Sequence, residues 1–281
     1  MSEVRLTLLS AGFCECPEFI VLRNGSWRTL RFPATFALLE HPRRGPMLLD
    51  TGYTTRFFTE TQHFPYSLYG RATPVTLPEG ESAAEQLAQR GIRATDVECI
   101  LISHFHADHV GGLRDFPNAR FVYLPEAYAA VRNRRGIDAV RRGFLPGLLP
   151  TDFEARSLPI APAQMRPLAA YAPFTQIVDL LGDETLLAVA LPGHAAGQMG
   201  LFVQAEQNER YFLVVDGCWT SHAFRQNVLP HPLANLIFDD PAAYRRTLSD
   251  LHTFSRLRPD VQIIPAHCAE AHARYVRKRA P

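Results

Sequence analysis

The sequence predicts an α/β fold of two packed β-sheets with helices on the outer faces. Two observations lead there. Short aliphatic runs alternate with helical segments in both halves of the chain, and a proline-rich stretch separates the halves. The 281 residues contain no repeat and no low-complexity tract, so one domain over 1–281 is expected, its halves joined near 145–173.

In the first half, Val4 to Leu9, Thr35 to Glu40 and Pro46 to Leu49 read as strands. Ser82 to Arg90 reads as a helix. Ser82 caps it, Glu85 stands three residues on as in a capping box, and Gly91 ends it. Val97 to Ser103 is a buried strand and Arg120 to Tyr123 another; Pro125 to Arg132 is a helix with proline in its first turn. The run from Leu145 to Pro173 carries Pro146, Pro150, Pro159, Pro162, Pro167 and Pro173, too many for a long helix. In the second half, Thr185 to Leu191, Gly200 to Gln204, Tyr211 to Val215 and Val261 to Pro265 read as strands. Pro241 to Phe254 and Ala269 to Val276 read as helices.

Acids and bases nearly cancel, 28 against 29, for a net charge of +1. That balance argues against a chain whose main partner is nucleic acid or an anionic membrane. No segment approaches the ~20 apolar residues that span a bilayer, and the first apolar stretch is too short for a signal-peptide core. The expectation is a soluble, cytoplasmic protein. Five cysteines, an odd number in a long chain, argue against a disulfide framework. Cys14 and Cys16 read as reduced thiols, and Cys218 and Cys268 as packing residues.

The strongest chemical signal is His104-Phe105-His106-Ala107-Asp108-His109, directly after an apolar strand. Residues i and i+2 leave an extended chain on one side, so His104 and His106 can converge on one ion. Asp108 and His109 follow where the chain turns, and can serve a second ion nearby. Imidazole and carboxylate are the ligands zinc and similar divalent ions take. His194, Asp216 and His267 each follow an apolar run and supply one more ligand type at a strand end.

With these motifs in view, the chain resembles the metallo-β-lactamase superfamily over almost its full length. The shared features, in the family's order, are Leu48-Leu49-Asp50-Thr51-Gly52, the His104 to His109 run, Pro192-Gly193-His194, Asp216 and Ala266-His267. The resemblance implies an αββα sandwich, with two divalent ions, zinc by type, along the edge between the sheets. It implies that His104, His106 and His194 bind one ion, that Asp108, His109 and His267 bind the other, and that Asp216 bridges both. Asp50 is expected behind the ligands rather than among them. Two ions sharing a water would yield a hydroxide at neutral pH to attack a carbonyl, with Asp108 passing a proton to the leaving group.

Within the superfamily the chain is most similar to the N-acyl homoserine lactonase-type branch, which implies a lactone or carboxylic ester as substrate. A thioesterase or phosphoester hydrolase on the same site is the alternative. A non-hydrolytic relative is a third class: an iron-based redox enzyme is disfavoured because its usual flavin domain does not fit in this length, and a ligand-binding protein because every ligand position is filled. Two positions depart from that branch: Gln198 stands where a second histidine is frequent, and Trp219 where a tyrosine meets the substrate carbonyl. Trp219, Phe144 and Leu145 are expected to wall the substrate pocket, within a wider set including Phe13, Phe57, Phe58, Phe64, Tyr66, Tyr69 and Leu148. Arg134, Arg135, Arg141 and Arg142 read as a solvated helix face, with an anionic substrate group as the other reading. The expected partner is a small-molecule substrate, with neither nucleic acid nor membrane; a homodimer is left open.

Overall fold

A computed structural model describes residues 3–276 of the chain. The first sheet is built from β1 (Arg5–Pro17), β2 (Thr29–His41), β3 (Gly45–Leu49), β4 (Val75–Thr76), β5 (Cys99–Leu101), β6 (Arg120–Tyr123) and β7 (Ser157–Pro159). Their order is β4-β1-β2-β3-β5-β6-β7. The second contains β8 (Arg166–Pro167), β9 (Gln176–Asp179), β10 (Leu186–Ala190), β11 (Met199–Gln204), β12 (Arg210–Val215) and β13 (Val261–Pro265), in the order β13-β12-β11-β10-β9-β8. Both sheets are mixed: β3, β5, β6 and β7 run parallel, as do β12 and β13, and the other pairs are antiparallel.

The two-residue period of a strand explains the layers. In the first sheet Leu38, Leu48, Ile100 and Phe121 face one core, under the outer helices with Leu87 and Val110. Their neighbours Leu39, Met47, Leu49 and Leu101 face the second sheet. There they meet Leu186, Ala188, Leu201, Val203, Leu213 and Val215 in a core between the sheets. The alternate residues of the second sheet, Leu187, Val189, Phe202, Phe212 and Val214, face outward. They pack under Leu248, Leu251 and Phe254 of the helix Pro241–Leu257. Sheets apolar on both faces need cover on both, which makes this an αββα sandwich. Residues 145–173 carry β7 on the first sheet and β8 on the second, so the chain changes sheets there.

The elements read from sequence are present, with shifted ends. Arg120–Tyr123 and Val261–Pro265 have the expected limits, and the Ser82–Glu85 capping box forms at the start of Ala83–Ala88. The first two strands are much longer than expected, each 13 residues. Their register shifts between Ser10 and Phe13. Pro33 pairs with Phe13 beside that irregularity, where its missing N–H interrupts a ladder already broken. The strand expected over Val97 to Ser103 narrows to Cys99–Leu101, because the chain beyond Leu101 leaves the sheet to carry the histidines. Among the described residues no helix is long and apolar enough to cross a membrane.

Candidate metal centre

Four loops leave strand ends on the same edge of the sandwich. His104 follows β5, His194 follows β10, Asp216 follows β12 and His267 follows β13. Backbone bonds tie these loops together: Met199 N–H donates to Ser103 O (3.0 Å) and Ala266 N–H to Val215 O (3.0 Å). Phe105 turns into the core against Tyr123, Tyr128 and Phe153, which leaves His104 and His106 on the opposite side with ring centroids 4.4 Å apart. Asp108 and His109 sit in the short helix Ala107–Val110. His194 is held from behind by the helix Pro241–Leu257. Thr247 donates to Pro192 O (2.7 Å), and Gly193, at φ +128, lies so near Tyr244 that a Cβ would come within 2.1 Å of its backbone nitrogen. Only glycine fits at that position.

These seven side chains form two groups whose ligand atoms lie within 4.8 Å of one another: His104, His106, His194 and Asp216, and Asp108, His109 and His267. Asp216 faces both. Its Oδ2 is 3.0 Å from His194 Nε2, while its Oδ1 is 3.0 Å from His267 Nε2 and 3.5 Å from His109 Nε2. Val215 immediately before it has φ +50, a strained conformation for a β-branched residue, so the backbone is held out of its preferred region where Asp216 is aimed.

Behind the ligands, hydrogen bonds fix the far ring nitrogens. His109 Nδ1–H donates to Asp50 Oδ2 (2.8 Å), and His267 Nδ1–H to Pro33 O (2.8 Å). Ser103 Oγ lies 3.0 Å from His104 Nδ1 and donates to Asp50 Oδ2 (2.7 Å). Ser103 N–H donates to Asp50 Oδ1 (2.8 Å). Each arrangement turns an Nε2 lone pair toward the centre. His104 Nε2, His109 Nε2 and Asp216 Oδ1 are buried there with no hydrogen-bond partner. Such groups cost ~1–3 kcal/mol each unless something satisfies them, and a cation does so. The donor set therefore fits two divalent ions.

The electrostatics divide the histidines by group. Burial, reinforced by neighbouring imidazoles, pushes His104 far below its ordinary value and His106 down to about 3, so both rings stay neutral with lone pairs free. Burial opposes ionisation of Asp108 and Asp216, yet the histidines facing them hold both carboxyls well below the usual range. Burial opposes charge on His109 and His267 too, yet the carboxylates facing them raise both, His109 well above its ordinary value, so a dication bound there would displace a proton from each ring.

Three expectations about the pocket need correction. Phe144 and Leu145 do not wall a pocket. They are fully buried in the core outside the first sheet, with Leu148 beside them. The turn at Gly143 directs them inward, because its carbonyl accepts from Ala107 N–H (3.0 Å) and Phe144 N–H bonds to Ala139 O (3.0 Å). Trp219 is 5% exposed and stands behind Asp216, donating its indole N–H to Asp216 Oδ2 (3.2 Å) and packing against His194 and Phe238. The cleft that does open onto the centre, about 580 Å3, has His106 and His194 at its base and Ala127, Val131 and Phe238 among its walls. Phe13 lines a different cleft, and Phe57 is buried in the core. Sequence reading also missed Ser103 and the Pro33 carbonyl. Ser103 adjoins His104 in the chain, a signal that was available; nothing local marks Pro33. The cysteines are free, and Cys218 and Cys268 are buried, with the Cys218 thiol pushed far up by burial.

The model of the metallo-beta-lactamase superfamily matches residues 31–207, more than half of the chain. This chain belongs to the metallo-β-lactamase superfamily. Within it, its similarities are to the lactonase-type branch. The N-acyl homoserine lactonase AttM of Azorhizobium caulinodans is 26% identical over 100% of this chain and 98% of its own length. The AttM of Agrobacterium fabrum is 25% identical with the same coverage. Among solved structures, an N-acyl homoserine lactone hydrolase with N-hexanoyl-L-homoserine at its catalytic metal centre superposes with a TM-score of 0.74. It has 21% identity over 98% of this chain and 97% of that one. The dizinc lactonase AidC superposes with a TM-score of 0.61 and 14% identity, over 95% of this chain and 87% of that one. Family, relatives and ligand groups together make the chain a metal-dependent hydrolase.

Proposed function

We propose that this superfamily member is a binuclear hydrolase that opens lactones of the N-acyl homoserine type. The observation that carries the binuclear reading is the division of Asp216 between two ligand groups, Oδ2 toward His194 and Oδ1 toward His109 and His267. The substrate class rests on full-length relatives named as N-acyl homoserine lactonases.

Two zinc ions bound there would supply a water-derived hydroxide at neutral pH and polarise the carbonyl under attack. The chain's own residues do the rest. His104, His106 and His194 hold one position, Asp108, His109 and His267 the other, and Asp216 spans both. Asp50 and the Pro33 carbonyl keep His109 and His267 in the tautomer that presents Nε2. Asp108, 9% exposed, is the most open carboxylate of the centre, and it is ionised. It is placed to take a proton and return it to the leaving alkoxide. Trp219 has committed its single N–H to Asp216, so no side chain at that position polarises the substrate carbonyl.

The test is a substrate panel of N-acyl homoserine lactones, aryl esters, thioesters and phosphodiesters on the zinc-loaded protein, repeated with Asp108→Asn. The proposal expects lactone opening to dominate. Assayed at zinc concentrations that keep both positions filled, the variant should lose ~100-fold or more in kcat, the scale of general acid–base catalysis. Phosphodiester cleavage as the main activity, or full turnover by Asp108→Asn, would overturn it.

A further inference from the structure

We infer that Arg141 recognises an anionic group on the substrate's arm, so that the preferred substrates are lactones or esters whose arm ends in a carboxylate; this rests on the hydrolase reading above. The arginines at 134, 135, 141 and 142 divide sharply in the structure. Arg134, in the loop before the helix Gly136–Arg141, donates to Asp138 of that helix (2.6 Å). Arg135 donates to the carbonyls of Arg132 (3.0 Å) and Arg134 (2.7 Å). Arg142 is paired with Asp239. Among the described residues Arg141 has neither a carboxylate nor a carbonyl partner, and it lines the cleft that has His106 and His194 at its base.

Its position is fixed by the same contacts that build the metal motif. Arg141 ends the helix Gly136–Arg141, and Gly143 follows two residues later with φ +60. A Cβ on Gly143 would come within 2.6 Å of the His106 ring, and its carbonyl accepts from Ala107 N–H (3.0 Å). The turn is thus pinned between two residues of the ligand run, and Arg141 stands at a set place on the rim. Arg142 and Asp239 neutralise each other there, leaving Arg141 as the uncompensated charge of the rim. The same cleft is lined by the apolar Ala127, Val131 and Phe238. A substrate suited to such a lining has a reacting carbonyl, a short run of methylenes and an anion. A guanidinium meets a carboxylate with two parallel N–H bonds, which a neutral arm cannot accept in the same way.

The experiment compares aryl half-esters of linear dicarboxylic acids with their methyl-capped, uncharged counterparts on the full-length zinc-loaded protein. At low salt the wild type should prefer the charged ester by about tenfold in kcat/KM, through KM, as for one charge-assisted hydrogen bond near a surface. The preference should shrink as salt rises. Arg141→Gln should abolish it with kcat unchanged, and Arg141→Glu should reverse it. A second arm needs no turnover: an unreactive dicarboxylic monoamide should bind wild type about tenfold more tightly than Arg141→Gln by calorimetry. Equal binding to both proteins, or a wild-type preference for the capped ester, overturns the inference. Arg141-dependent monoamide binding without hydrolysis of any ester supports the anion site and counts against the hydrolase reading alone.

Discussion

Replacing Asp50 by Asn should weaken one metal position and spare the other. Asp50 is 1% exposed and accepts three bonds: Oδ1 from Ser103 N–H (2.8 Å), and Oδ2 from Ser103 Oγ (2.7 Å) and His109 Nδ1–H (2.8 Å). An amide keeps one acceptor oxygen, which the Ser103 N–H requires. The NH2 then faces Ser103 Oγ, which can rotate and accept, and His109 Nδ1, which must lose its proton to accept. That proton moves to Nε2, the nitrogen 3.4 Å from Asp108 and 3.5 Å from Asp216, and closes the lone pair to a metal. A hydrogen bond to a charged group contributes ~1.5–3 kcal/mol. Expressed as metal affinity this is roughly 10- to 100-fold, the range typical of outer-shell partners. Competition against a chromogenic chelator resolves the two zinc affinities. The weaker-bound ion should lose 10- to 100-fold and the other less than about threefold, with the far-UV circular dichroism unchanged. Two equal losses, or none, would refute the tautomer argument.

Two further outcomes follow from the same geometry. Trp219→Phe removes one long hydrogen bond to Asp216 and leaves the aromatic packing, so lactone kcat/KM should fall less than about tenfold; a thousandfold loss would place the indole on the substrate carbonyl. Asp183 lies away from the centre. Burial opposes its ionisation, but bonds from Thr185 Oγ1 (2.6 Å), His41 Nε2 (2.9 Å) and Arg43 Nη2 (3.1 Å) hold its carboxyl well below the usual range. A carboxyl lowered in the folded state stabilises above its unfolded value and loses that contribution as pH falls toward the folded one. Asp183→Asn should therefore unfold at lower urea than wild type above about pH 5, and the gap should narrow progressively as pH falls below about 4; a gap independent of pH would contradict this.

The two clusters of candidate ligands were legible because chemistry and periodicity coincide in them. His104 and His106 flank a phenylalanine on an extended chain, so alternation alone puts both rings on one side and Phe105 in the core. His194, Asp216 and His267 each end an apolar run, and such runs become strands whose ends meet on one edge. The two-layer core was legible for the same reason, since adjacent residues such as Leu38 and Leu39 face opposite layers. What stayed hidden depends on contacts distant in sequence. The Pro33 carbonyl reaches His267 across 234 residues. Phe144 and Leu145 turn inward because Gly143 is seated on His106, and Trp219 turns its N–H onto Asp216. Apolar character marked these three residues as candidates for the pocket wall but could not say which way they face. The short strands β4, β7 and β8, two or three residues each, carry too little periodicity to be read.

The proposed hydrolytic centre needs two ions joined through Asp216. Its most direct test is a titration of the metal-stripped protein with zinc, reading bound metal and lactone opening in the same samples. Activity should stay low through the first equivalent, rise through the second and then level off, with about two ions bound per chain. Full activity at one equivalent, or binding that saturates at a single ion, would contradict it.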